Sequence, residues 1–528
     1  MVAVLVFMAT VRLRLLDFPL ERDEGEYAYA GQLMLQGIPP YELAYNMKFP
    51  GTYAAYAVIM KLFGETPAGI HFGILCMTTL TALMLFWLGK KILDETAGIV
   101  AATSYAVLAA SPAMLGLAGH ATHFAAFFAT AGLCVLWLAR QNPKWPAALV
   151  SGIFFGSAIL MKQHAAIIAA WAGVAFTATI FRRREIIFAK RLAAVSALGV
   201  GIVLPFGLCC LILWHAGVFG NFRFWTIEYA RQYATLIPFS EAGAIFWNSL
   251  MWVVSTTVLL WLLATAGLVS AWFDERLRPA RLWLFGFGMA SALTVLPGFY
   301  FRNHYFLLTL PAVALFAGCA ASGIVRSQQQ KADQTQLQNL LLLVYAVFLS
   351  ATVFINCDVW ISLTPAQAAR EVYGSNPFSE AQTVAGFIRS NSVSTATVAV
   401  IGSEPEIYFL AHRHSATGFI YTYALMEAQP FALKMQDDMA REIEARAPEF
   451  VVCADSVQSL GARFGGKEKI LDWWKSYQMN YALVGLTDII SPSNTVNVFG
   501  ANAVALYGGV LHGTGLEVYR RKPNIIRP

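Results

Sequence analysis

Long apolar runs recur through the first two thirds of the chain and leave few choices of fold. Runs such as Thr66–Leu88 and Leu192–Trp214 match the roughly 20 helical residues that cross a bilayer. Backbone groups inside a bilayer must pair within the protein, so these runs are predicted to be helices. Charged residues make up only 13% of the 528 residues, against about 25% in soluble proteins. The sequence therefore predicts a mostly α-helical, polytopic membrane protein.

The apolar runs predict about eleven transmembrane helices, several of them short. The first run, Met1–Val11, is shorter than a full crossing. Either Leu13, Leu15 and Leu16 complete it, or the true start of the protein lies upstream. The other candidates are Thr66–Leu88, Ala97–Leu117, His123–Leu138, Ala147–Leu160, Ala165–Phe181, Leu192–Trp214, Trp247–Phe273, Leu282–Leu296, Tyr305–Val325 and Leu340–Ile355.

Basic residues fall in every second connection between these runs, for example Lys90-Lys91 and Arg182-Arg183-Arg184. Cytoplasmic loops of membrane proteins carry an excess of Lys and Arg, so these loops are predicted to be cytoplasmic. The same rule accounts for the net charge of +6, and we expect no nucleic-acid partner. The alternate loops and the C-terminus would then face the periplasm or exterior of a bacterial-type cytoplasmic membrane.

The composition changes at Asn356, where apolar runs stop and polar residues become common. Short apolar segments such as Thr397–Gly402 and Phe450–Cys453 predict strands that alternate with helices. We therefore divide the chain into a membrane domain, residues 1–355, and an extracytoplasmic soluble α/β domain, residues 356–528. Cys357 and Cys453 lie on this outer side, and a disulfide between them is an alternative to two free thiols.

A dense acidic cluster, Glu21-Arg22-Asp23-Glu24-Gly25-Glu26-Tyr27, follows the first apolar run. It lies in the predicted first outer loop, residues 17–65, which also carries two amphipathic segments, Tyr27–Gln36 and Thr52–Phe63. These segments predict helices lying in the membrane interface. Two interpretations of the acidic residues stay open. Asp23 and Glu24 form an active-site carboxylate pair, or Asp23 and Glu26 form a capping box at a helix start.

The stretch RDEGEYAYAGQLMLQG, followed by NMKFPGTYAAY, resembles the first outer loop of the C-type glycosyltransferases. The similarity is to the protein O-mannosyltransferase-like branch, which includes the lipid A aminoarabinose transferases, and FRNHYFLLTLP and GSEPEIYFLAHRHSATGF also resemble segments of that branch. The resemblance implies a hexosyl or pentosyl transferase that takes a sugar from a polyprenyl-phosphate donor. The acceptor hydroxyl, on a lipid, glycan or protein, would meet the donor at the outer membrane face.

The resemblance also implies roles for individual residues. Asp23 matches the family's catalytic carboxylate and would be the general base, and Glu24 matches the second member of the pair. Lys48 matches a lysine that approaches the donor phosphate, which leaves Glu26 as the capping residue. Many relatives carry an acidic residue in the second outer loop, where this chain has Gly119-His120-Ala121-Thr122-His123.

A leaving phosphate needs cations close to it. The candidates on the predicted outer side are Lys48, Lys162, Arg302 and His304. The alternative for the lysines and arginine is that each extends to lipid head groups. His120 and His123 are three residues apart and would share a helix face. With Asp23 or Glu24 they could bind a divalent metal ion, or they could simply hydrogen-bond to neighbours; no other cofactor is expected.

A transporter or flippase of a lipid-linked glycan is the alternative function, and a membrane scaffold with a binding domain is a third. Transporters place charged residues near the bilayer midplane. This sequence places its acidic and basic candidates at one predicted interface, which favours the enzyme.

Overall fold

The computed structural model describes residues 1–141, 143–329, 334–455, 457–460 and 468–523 and is mostly helical, as predicted. Its first three helices are α1 (Val2–Arg14), α2 (Arg22–Leu35) and α3 (Gly51–Phe63). The longer helices that follow are Pro67–Ile92, Glu95–Leu108, Ala121–Gln141, Trp145–Met161, Ala166–Arg182, Phe188–His215, Phe239–Ser255, Val258–Phe273, Arg281–Leu293, Leu310–Gln329 and Gln334–Ile355.

Among the described residues, five helical segments are long and apolar enough to cross a membrane, and a bent pair of helices would make six. Two shorter apolar helices, Trp145–Met161 and Leu343–Ile355, lie beside them. The prediction of about eleven crossings therefore stays a prediction. The five segments are Pro67–Ile92, Ala121–Gln141, Gln163–Arg182, Phe188–His215 and Asn303–Gly323.

The span predicted at Trp247–Phe273 is not one continuous helix in the structure. The structure has two helices here, Phe239–Ser255 and Val258–Phe273, which meet at an angle of 108°. The break falls in a run of hydroxyl residues, whose side chains compete with the backbone for hydrogen bonds. The Ser255 hydroxyl donates to the Trp252 carbonyl at 2.6 Å, and the Thr256 carbonyl accepts from the Asn356 amide at 3.0 Å.

Helix α2 is buried inside the protein rather than lying on the membrane surface as its amphipathic pattern predicts. Nearly every residue from Glu24 to Leu33 is buried. The helix packs between α3 and the short helix Glu406–Ala411 of the C-terminal region. A β-carbon at Gly25 would lie only 2.5 Å from the Glu406 backbone nitrogen, so this position allows the two helices to touch.

A six-stranded mixed sheet forms the C-terminal region, with the strand order β2-β1-β3-β6-β4-β5. Strand β1 pairs in parallel with β2 and β3, and the other pairings are antiparallel. Strands β1, β3 and β4 lie where the sequence predicts strands, at Thr397–Gly402, Phe450–Cys453 and Tyr481–Leu486, whereas β2, β5 and β6 were not predicted. The strands are β1 (Thr397–Ile401), β2 (His414–Ser415), β3 (Phe450–Asp455), β4 (Tyr481–Ser491), β5 (Asn494–Phe499) and β6 (Thr514–Arg521).

Cys357 and Cys453, which the sequence analysis considered for a disulfide, are both free thiols. Helices flank the sheet. The helices are Pro365–Tyr373, Phe378–Ser390, Glu406–Ala411, Tyr423–Met426, Ala432–Arg446, Val457–Leu460, Lys469–Tyr477 and Ala501–Leu506. The last long apolar helix ends at Ile355, the residue at which we divide the chain.

The alternation of basic loops predicts that Arg183 and the exposed turn at Ser493 lie on opposite sides of the membrane. Reporter fusions at these positions, one active only in the cytoplasm and one only outside it, measure this directly. Matching reporter activity at the two positions would contradict the predicted topology.

Candidate active site

The acidic cluster starts helix α2, but its capping box differs from the one predicted. Glu21 is the N-cap residue, and its carboxylate accepts from the Glu24 backbone N–H at 3.0 Å. The Glu24 carboxylate accepts in turn from the Glu21 N–H at 3.4 Å. The predicted box of Asp23 and Glu26 is therefore wrong, and both of these carboxylates are free to make other contacts.

Glu24 is fully buried and does not reach the cavity described below. Besides the cap, its carboxylate accepts from the Gly119 backbone N–H and lies 3.1 Å from His71 Nε2. These contacts tie the start of α2 to the connection before helix Ala121–Gln141 and to helix Pro67–Ile92. The structure thus places Glu24 outside the cavity, where it joins separate parts of the fold.

Lys48 lies between the other two carboxylates of the cluster. Its ammonium is 2.8 Å from Asp23 Oδ1 and 2.6 Å from Glu26 Oε2. Glu26 also accepts a hydrogen bond from the Tyr53 hydroxyl at 2.5 Å. The ammonium lies 4.6 Å from the centre of the Tyr27 ring, within the range of a cation–π contact. Glu26 is thus the buried partner of Lys48 rather than a capping residue.

The positive groups around Asp23 favour its charged form. Burial acts to raise the pKa of the Asp23 carboxyl, but the charges of Lys48, His304 and His120 outweigh it and hold that pKa well below its usual range. Asp23 is therefore a carboxylate at neutral pH. Lys48, in turn, has a raised pKa despite its burial, because it faces Asp23 and Glu26.

Asp23 opens onto a cavity of about 990 Å³ between the membrane helices and the C-terminal region. Five of the side chains that the sequence proposed as phosphate or metal ligands line this cavity with Asp23: Lys48, His120, Lys162, Arg302 and His304. The Lys162 ammonium lies 4.1 Å from the centre of the Tyr305 ring, and burial lowers the pKa of Lys162 to about 7. The structure thus gathers residues from four separate segments around one carboxylate.

His120 and His304 stack on each other beside Asp23, with ring centres 4.3 Å apart and planes inclined by 13°. His120 Nδ1 and His304 Nε2 each lie 3.9 Å from Asp23 Oδ2. His123 does not join them, because its Nε2 turns to the Ala109 carbonyl at 3.4 Å. The predicted pairing of His120 with His123 is therefore wrong, and His304 occupies the second imidazole position.

Asp23, His120 and His304 fit a divalent metal ion. Among the described residues, their ligand atoms form the one such group, all within 4.8 Å of one another. Both ring nitrogens of His120 are buried and have no hydrogen-bond partner in the part of the chain that the structure describes. Burial lowers the pKa of His120 to about 4, so the ring is neutral at pH 7, the form that binds metals. Two imidazoles and one carboxylate suit zinc or manganese.

Several residues of the cavity were missed by the sequence analysis. Glu427 and Tyr421 come from the C-terminal region, and Tyr229, Tyr233 and Tyr300 come from the connections after the longer helices. None of them belongs to a local motif, since each reaches the cavity through contacts distant in sequence. One signal in the sequence could have indicated these residues: tyrosines and acidic residues are numerous in the loops predicted to lie outside the membrane.

The metal assignment predicts zinc binding that depends on His304 but not on His123. Isothermal titration of the purified protein with zinc should show one site, which His304→Ala or Asp23→Asn weakens about tenfold or more, as loss of a ligand requires. His123→Ala is the matched control and should keep wild-type affinity. If both histidine variants lowered the zinc affinity equally, the metal would bind at a different site.

Residues 48–214 match the dolichyl-phosphate-mannose-protein mannosyltransferase family. The chain is also 23% identical, over 295 residues, to the undecaprenyl phosphate-alpha-4-amino-4-deoxy-L-arabinose arabinosyl transferase of Enterobacter sp. (strain 638). That match takes in 53% of this chain and 51% of the relative, so the aligned part spans about half of the curated relative's length.

Two solved structures have a similar fold. ArnT from Cupriavidus metallidurans bound to undecaprenyl phosphate is 14% identical, with a TM-score of 0.59 and 100% of this chain and 98% of that chain covered. The Archaeoglobus fulgidus oligosaccharyltransferase in complex with Zn and sulfate is 14% identical, with a TM-score of 0.53, and the match covers 94% and 73% of the two chains.

The chain shares the fold of these two solved structures. Its sequence is similar to the protein mannosyltransferase family and to an aminoarabinose transferase, which confirms the resemblance first seen in its sequence motifs.

Proposed function

We propose that this protein is an integral-membrane glycosyltransferase that moves a sugar from a polyprenyl-phosphate donor to an acceptor hydroxyl. The observation that carries the proposal is one carboxylate, Asp23, facing a large cavity whose neighbouring groups are cations and imidazoles. Support comes from the similarity to a transferase named for an undecaprenyl phosphate sugar and to a structure bound to undecaprenyl phosphate.

In this reaction the acceptor hydroxyl loses its proton to Asp23 as its oxygen forms a bond to the anomeric carbon. The bond between that carbon and the phosphate oxygen breaks, and its electron pair leaves with the lipid phosphate. Lys48, Lys162 and Arg302 would stabilise the negative charge that develops on the phosphate. Each of these cations lies in a connection between helices and already lines the cavity.

Lys48 would also tune the base. While it is paired with Asp23, it lowers the pKa of the carboxyl and so weakens it as a proton acceptor. A donor phosphate that attracts Lys48 would loosen this pair, and Asp23 would then become a stronger base. Donor binding and activation of the base would be linked through one ammonium group.

The predicted sidedness places this cavity at the outer face of the cytoplasmic membrane, with the C-terminal region over it. Lipid, glycan and protein acceptors are all compatible with a cavity of this size. A divalent ion held by Asp23, His120 and His304 would supply a fixed positive charge beside the reacting groups. Lys48 contacts Asp23 Oδ1, whereas the two imidazoles lie on the side of Oδ2, so the ion would use the oxygen that Lys48 does not contact.

Removal of the base is the direct test. Asp23→Asn keeps the shape of the side chain but cannot accept the proton, so sugar transfer from polyprenyl-phosphate donors to envelope lipids should fall by about 10²–10⁴-fold. The matched control is Asp17→Asn, an exposed aspartate of the same loop. Unchanged transfer by the Asp23 variant would overturn the assignment of the base.

Lys48→Met tests the link between the ammonium and the base through the pH profile. Activity requires charged Asp23, and the low pKa of Asp23 keeps it charged into acidic solution. Without Lys48 this pKa rises, so the acidic limb of kcat/KM should move upward by about one pH unit or more. The exposed Lys61→Met is the control. An acidic limb that stays in place in the Lys48 variant would disprove the link.

A further inference from the structure

A second group of polar side chains lines the same cavity and has no part in the chemistry described so far. It consists of Tyr229, Tyr233, Tyr300 and Glu427. Tyr233 and Tyr300 stack with ring centres 4.4 Å apart and planes inclined by only 7°. Stacking covers one face of each ring, and the other face of a tyrosine ring can pack against the C–H face of a sugar.

Glu427 brings a carboxylate to this aromatic surface from the C-terminal region. The side chain is only 6% exposed, and its Oε2 accepts a hydrogen bond from the Tyr229 hydroxyl at 2.6 Å. A carboxylate has about four acceptor positions, so this single bond leaves most of its capacity unused. Buried polar groups are normally hydrogen-bonded, and in this cavity a bound ligand can supply the donors.

Arg302 connects this group to the phosphate-binding side of the cavity. Its guanidinium lies 5.4 Å from the centre of the Tyr300 ring and 3.5 Å from the Tyr233 hydroxyl. Its charge acts on both Asp23 and Glu427. Since the donor sugar is bonded directly to the phosphate, a phosphate on Arg302 would place that sugar beside the two stacked tyrosines.

We infer that Glu427 and the stacked pair Tyr233 and Tyr300 form the subsite for the donor sugar, with Glu427 accepting hydrogen bonds from hydroxyl groups of a neutral monosaccharide. This inference rests on the proposed function and adds the substrate class that the cavity selects. Tyr229 is a positioning residue, because it holds the carboxylate through Oε2 and leaves Oε1 for the sugar.

The surroundings favour a neutral sugar over one that carries an ammonium group. The guanidinium of Arg302 already provides positive charge beside Glu427 and would repel a second cation. Burial also raises the pKa of Glu427 to about 7, so the group is partly protonated at neutral pH. A protonated carboxyl holds an ammonium group weakly but still exchanges hydrogen bonds with hydroxyl groups.

The test uses two main probes, undecaprenyl phosphate and undecaprenyl phosphate mannose, and a third probe, the undecaprenyl phosphate of an amino sugar. Binding of each to the full-length protein in detergent is measured for the wild type, Glu427→Ala and Glu427→Gln. Glu427→Ala should weaken binding of the mannosyl lipid about tenfold or more, and Glu427→Gln should restore part of it. Binding of the bare lipid phosphate should change by less than about twofold.

Glu228→Ala is the matched control, since Glu228 precedes Tyr229 but does not line the cavity. Equal weakening of both lipids by Glu427→Ala would mean a general change of the cavity and would overturn the subsite. So would unchanged binding of the mannosyl lipid, or a larger loss with the lipid phosphate of an amino sugar. If the wild type bound neither lipid, the proposed function itself would fail.

Discussion

The ammonium of Lys48, placed between the carboxylates of Asp23 and Glu26, is the interaction on which the rest of the site depends. Helix α2 carries four charged side chains in its first turns and is nevertheless buried. Removing one partner of a buried ion pair costs about 3–5 kcal/mol, because the remaining charge is left uncompensated. Lys48 therefore does more than any other cation of the cavity to make an acidic helix compatible with a buried position.

The other charges of α2 are compensated by contacts to different parts of the chain. Glu24 accepts from Gly119, and Arg22 pairs with Glu404 at 3.0 Å. The Arg22 guanidinium also donates to the Ser403 carbonyl at 2.6 Å. These partners come from two segments that are distant from α2 in the sequence, so the geometry around Asp23 depends on packing across the whole molecule. This is why a catalytic function can depend on residues that never touch the substrate.

The sequence was sufficient to predict the helical class and five of the charged and imidazole side chains that line the cavity with Asp23. It could not choose between two capping boxes, because Glu21 with Glu24 and Asp23 with Glu26 have the same three-residue spacing. Helical periodicity also paired His120 with His123, although the structure stacks His120 on His304 from a distant connection. The bend after Ser255 and the position of Glu427 depend likewise on packing between segments that local patterns do not reveal.

The contact between Gly25 and Glu406 has a consequence for the history of the chain. The backbones of the two helices approach so closely at this point that even a methyl group would collide. If the C-terminal region came from a relative, its backbone would need the same shape at this contact. If a relative had a larger residue at the position of Gly25, the two helices would have to lie farther apart. The two halves of the molecule are therefore expected to be inherited together. A chimera of two relatives should take Gly25 and the helix Glu406–Ala411 from the same parent.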